Sequence, residues 1–108
     1  MTDKIYSISE IKNIISLVAK EYDVERISIF GSYARDEADN NSDLDLYVEN
    51  FSYKPFHSIF NFMARMEESF NKKVDIITDT SEQFIRDKYD KALFENIKKE
   101  KVICYERK

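Results

Sequence analysis

The 108 residues contain one glycine, one proline, one cysteine, one histidine and no tryptophan. A lone cysteine excludes an internal disulfide and any cysteine-rich zinc site, and suits a reducing compartment. So little glycine and proline argues against disorder and for long regular elements. No segment approaches the ~20 apolar residues of a membrane span, and Met1-Thr2-Asp3-Lys4 is not followed by the apolar run of a signal peptide. Excess basic charge is missing as well. Seventeen Lys and Arg against 21 Asp and Glu leave a net charge of −4, which speaks against nonspecific nucleic-acid binding. The expectation is a single cytoplasmic domain spanning residues 1–108, with no membrane association and no direct contact with nucleic acid.

What is present is strongly periodic. Ser7 with Glu10 has the form of a capping box, and Ile8, Ile11, Ile15, Val18 and Tyr22 recur at spacings of three and four, which predicts an amphipathic helix ending near Tyr22. Arg26 to Phe30 reads as a strand, Ser32 to about Glu37 as a short helix, and Asp39-Asn40-Asn41-Ser42 as a turn cluster. Asp43 to Val48 reads as a second strand. A loop from Asn50 to Lys54 precedes a helix with Pro55 in its first position, carrying Phe56, Ile59, Phe60, Met63, Met66 and Phe70 and stopped by Asn71. Lys73 to Thr78 is a third strand. Asp79 with Glu82 suggests a further cap, followed by one long helix or two short ones through Phe84, Ile85, Tyr89, Ala92, Leu93 and Ile97, any break lying near Arg86 to Lys88. Val102 to Tyr105 closes the chain as a short strand. The fold class is therefore α/β (α+β), a small mixed sheet of about four strands with helices packed on it, in the order α-β-α-β-α-β-α-β.

Three features of this pattern carry chemistry. Gly31, the only glycine, closes the first strand, and with Ser32 it offers backbone N–H groups, a hydroxyl and the positive end of a short helix to one point in space. Such a point suits a phosphate. Asp43 and Asp45 alternate with Leu44, Leu46 and Val48, so both carboxylates lie on one face of a strand with Cα atoms roughly 6.5 to 7 Å apart. Paired carboxylates repel unless a cation sits between them, and oxygen ligands of this kind favour Mg²⁺ or Mn²⁺. Asp75, finally, interrupts the apolar run Val74, Ile76, Ile77, a costly place for an acid unless it reaches water or a cation.

Gly31-Ser32, ten residues, then Asp43-x-Asp45, with Arg35 four after the glycine and Ser42 just before the first aspartate, resembles the signature of the polymerase-β-type nucleotidyltransferase superfamily, and within it the minimal nucleotidyltransferase (MNT) domains. The resemblance implies that core fold. It also implies a catalytic and metal-binding triad of Asp43, Asp45 and Asp75 holding two Mg²⁺ ions, ATP as substrate, and a nucleotide site formed by Gly31, Ser32, Arg35 and Ser42. Stand-alone MNT domains are similar to antitoxins of HEPN/MNT pairs, so the resemblance further implies transfer of AMP to a tyrosine of a HEPN-type ribonuclease toxin in a hetero-oligomer. The alternative is a catalytically weakened antitoxin that neutralises its partner by binding alone. Asp36 stands where the family usually has a second glycine, which places a negative charge close to the expected triphosphate.

Each feature also has an ordinary reading. Arg35 could pair with Asp39 at the surface, and Asp75 with Lys72, Lys73 or Arg65. His57 and Cys104 read as packing residues, as do Tyr33 and Tyr47 unless one meets a base.

Overall fold

The computed structural model describes residues 4–52, 57–79 and 88–107, without the side chains of 88–91 and 93. Its elements run α1 (Ile8–Ala19), β1 (Arg26–Phe30), β2 (Leu44–Glu49), α2 (Ile59–Phe70), β3 (Val74–Thr78), α3 (Lys88–Glu100) and β4 (Val102–Glu106). The four strands form one sheet in the order β3-β2-β1-β4. β2 and β4 pair antiparallel with β1, whereas β2 and β3 are parallel, with α2 as the crossover between them. This is the mixed sheet with helices read from the sequence.

Local signals account for most element boundaries. The Ser7 hydroxyl accepts from the Glu10 N–H while the Glu10 carboxylate accepts from the Ser7 N–H, so the capping box forms in full. α1 stops at Ala19, and the two following bonds, Glu21 N–H to Val18 O and Tyr22 N–H to Ala19 O, tighten its exit. α2 begins at Ile59 behind its own cap, Ser58, four residues later than Pro55 suggests; Pro55 and Phe56 lie outside the described residues. Asn71 ends α2 in the left-handed conformation at φ 52°. The cap read at Asp79 and Glu82, with Phe84, Ile85 and the break near Arg86, falls on or beside residues outside the description, and α3 is a single helix from Lys88.

The expected helix at Ser32 to Glu37 is shorter. It is one turn, closed by Arg35 N–H to Gly31 O, Glu37 N–H to Ser32 O and Asp36 N–H to Tyr33 O. The last two bonds are a Schellman pair with Asp36 at the left-handed position, φ 58°. That conformation is why a glycine suits residue 36, and why the expected helix ends as it starts.

The sheet has two unlike faces. Ile27, Ile29, Leu44, Leu46, Val48, Val74 and Cys104 join Ile11, Ile15 and Val18 of α1 and Phe62, Met66 and Phe70 of α2 in the main core. Opposite them, Phe30 and Tyr47 pack against Phe94 and Ile97 of α3 in a smaller cluster. Strand alternation puts Asp45 and Asp75 on this second side. Among the described residues no helix is long and apolar enough to cross a membrane.

Phe62 is wholly buried and meets Tyr22 and Phe51 edge to face, so it ties α2 to the segments that follow α1 and β2. Phe62→Ala is expected to cost about 3–5 kcal/mol of unfolding free energy, read from the midpoint of a urea titration. A loss under ~1 kcal/mol would mean that the core closes around the gap.

Candidate active site

β1 carries the chain to Gly31, whose φ of +72° turns it out of the sheet. A Cβ at this residue would lie 2.4 Å from Asp45 Oδ2, so the backbone at Gly31 is approached by a carboxylate of the next strand. A side chain at this position would therefore collide with Asp45. Across the other edge of β2, Asp45 stands in register with Asp75 of parallel β3, a strand spacing of about 4.8 Å away. Asp43, two residues earlier, immediately precedes β2. The sheet thus gathers at one corner the three acids that lie up to 32 residues apart in sequence.

Lysines fix that corner. Lys72, buried except for 4% of its surface, donates to Ser42 O at 2.9 Å, and Leu44 N–H donates to Lys73 O. Both bonds tie the start of β2 to the start of β3. The Lys73 ammonium lies 3.9 Å from Asp43 and 4.0 Å from Asp75, so of the three cations weighed for Asp75 it is the one that comes near. Arg65 instead pairs with Glu21. The Ser42 hydroxyl serves its turn, accepting from Asp39 N–H and donating to Asp39 Oδ1.

Arg35 does not pair with Asp39, which is taken up by that turn. Its guanidinium donates to Glu37 at 3.0 Å and to both oxygens of Glu100 at 3.2 and 3.3 Å, and Glu100 Oε1 also accepts from Gly31 N–H at 3.2 Å. Glu100 is a member of this site that sequence reasoning missed. It ends a polar stretch at a helix terminus, and nothing local distinguishes it from the glutamates nearby. The aromatic neighbours and remaining singletons have packing roles. Tyr33 belongs to the main core, Tyr47 is buried against Phe94, His57 packs at a tilt against Tyr22 and Cys104 is buried, its thiol pushed up to about 11 by that burial.

The electrostatics follow from the placement. Burial, then the charges of Asp75 and Asp43, push the Asp45 carboxyl up to about 6, with Arg35 opposing and Glu100 adding to the effect. An acid raised in this way is short of positive charge. The donor set, carboxylate oxygen throughout, fits a hard divalent cation such as Mg²⁺. Among the described residues no three acids converge tightly enough to enclose an ion as they stand, so loading would require the carboxylates to turn inward and Lys73 to withdraw.

Two outcomes test this geometry. Gly31→Ala is expected to lose about 1–2 kcal/mol from the left-handed backbone alone, measured by urea unfolding, and to turn Asp45 away from residue 31. For Asp45, the folded-state value lies above the ordinary 3.8, so the folded protein holds this proton more tightly than the unfolded chain. The stability contributed is full below about 4, declines as pH rises to about 6 and stays low above it. In metal-free buffer the melting temperature of Asp45→Asn should therefore gain on wild type between these values and then run parallel. A constant difference across the range would mean that Asp45 is not strained by its neighbours.

The polymerase beta nucleotidyltransferase model matches residues 12–108. Two proteins of Methanocaldococcus jannaschii described as putative protein adenylyltransferases are similar to this chain. One is 39% identical over 75% of this chain and 99% of its own length, the other 39% identical over 69% and 81%. Among solved structures, a toxin-antitoxin with AMP-PNP superposes with a TM-score of 0.67 at 16% identity, over 90% of this chain and 74% of that one. A mutant of the toxin-antitoxin pair MntA-HpeT gives 0.64 at 14% identity, with the same shares covered. At such identity the structures speak for the fold, and it is the family match, over most of the chain, that identifies it: the chain belongs to the polymerase beta nucleotidyltransferase family.

Proposed function

We propose that this nucleotidyltransferase acts as a protein adenylyltransferase, moving AMP from ATP to a hydroxyl of a partner protein, a tyrosine of a HEPN-type toxin. The observation that carries the reading is the register of β2 and β3, which sets Asp45 beside Asp75 under the Gly31 turn with Asp43 at the strand entry. The M. jannaschii relatives described as protein adenylyltransferases support the reaction class, and the toxin-antitoxin neighbours support a partner.

In this reading Asp43, Asp45 and Asp75 hold Mg²⁺, with two ions to a site and Mn²⁺ as a substitute. When bound, the metal offsets the negative charge of the phosphates and of the leaving pyrophosphate. Gly31 N–H, the Ser32 hydroxyl and the Arg35 guanidinium bind the β- and γ-phosphates, with Ser42 holding the turn above them. Asp75, half exposed at the rim, orients the acceptor hydroxyl and takes its proton as the oxygen attacks the α-phosphorus. The chain's own work is positioning and charge neutralisation. Asp36 is exposed at the end of its turn, a position that lets its charge face water.

The deciding experiment incubates the purified chain with ATP, Mg²⁺ and the protein encoded by the neighbouring reading frame, and weighs both intact. The partner is expected to gain AMP. Asp45→Asn and Asp75→Asn should each lower the rate by at least ~100-fold while remaining folded by circular dichroism. A stable complex with no mass gain would replace this reading with antitoxin action by binding alone.

A further inference from the structure

Two of the groups assigned above to the triphosphate, Gly31 N–H and the Arg35 guanidinium, already bond to a side chain of the protein. Glu100 Oε1 accepts from Gly31 N–H, and both Glu100 oxygens accept from Arg35 Nη1. A carboxylate held by one backbone N–H and a guanidinium takes the bonds that a phosphate would take from the same donors.

Neither the helix nor the acids around it favour this placement. Glu100 is the last residue of α3, where the helix presents its negative end; Lys98 and Lys99 in the same turn are the favourable choice there. Its charge also adds to the repulsion felt by Asp45. What holds the carboxylate is therefore the anion-binding pair of Gly31 and Arg35. The contact spans 69 residues of sequence and joins α3 to the turn after β1.

We propose that Glu100 is an internal stand-in for phosphate, which fills the Gly31 and Arg35 donors in the nucleotide-free protein and must leave them for a triphosphate to bind. The inference rests on the nucleotide reading of the site. It makes Glu100 a residue that sets nucleotide affinity without touching the reacting atoms. Removing the carboxylate frees both donors and takes a negative charge from the neighbourhood of the phosphates.

The test is isothermal titration of wild type, Glu100→Gln and Glu100→Ala with ATP in Mg²⁺, and with inorganic tripolyphosphate in metal-free buffer, beside thermal unfolding of the ligand-free proteins. Glu100→Ala is expected to bind both ligands about tenfold more tightly than wild type, and Glu100→Gln to fall between them. Glu100→Gln keeps the size of the side chain and carries the comparison if the alanine variant fails to fold. Lower thermal stability with unchanged or weaker binding would make Glu100 a structural tie and overturn the inference, leaving the nucleotide reading in place. Failure of every protein, wild type included, to bind either ligand would overturn the nucleotide reading and the inference with it.

Discussion

Asp45 Oδ2 lies 2.4 Å from where a side chain on Gly31 would begin, so the carboxylate and the turn share a corner only because residue 31 has no Cβ. The rest of the site depends on that approach. It fixes the direction in which β1 leaves the sheet, and it places the Gly31 N–H and Arg35 beside the acids. It also holds Asp45 half-buried, where its neighbours act on it strongly. The Gly31 turn and the carboxylate cluster, which the sequence presents as two motifs twelve residues apart, are one packed unit.

That unit carries opposed charges that its own side chains balance in part. Lys73 stands near Asp43 and Asp75, and Arg35 answers Glu37 and Glu100. These contacts are partly exposed, of a kind that contributes little to stability individually. The balance is incomplete at Asp45, whose carboxyl remains raised to about 6. Crowded acids of this kind are expected at functional sites, and their mutual repulsion opposes stability.

Much of this was legible because the signals are local. Ser7 with Glu10, Asn71 at the end of α2 and the strand Arg26–Phe30 follow from caps, turn chemistry and alternation, each set by neighbours in sequence. α2 starts four residues after Pro55 because proline is only permissive at a helix start, while Ser58 satisfies the Asn61 N–H directly. The turn after Gly31 is shorter than a helix because Asp36 takes the left-handed conformation that ends it. Propensity alone does not reveal a Schellman pair one turn after a helix begins.

The sequence by itself determined the placing of acids on alternate strand positions, the turn at the single glycine and the mixed α/β pattern, since alternation, capping and that glycine are written in residues close together. Tertiary structure alone decided that Asp45 and Asp75 stand side by side, that Lys73 lies near two of the acids, and that Glu100 reaches Gly31 across 69 residues. Those relations come from strand order and register. They are fixed by burying one sheet face against α1 and α2, and part of the other against α3, a condition satisfied by the whole chain at once and by no segment of it.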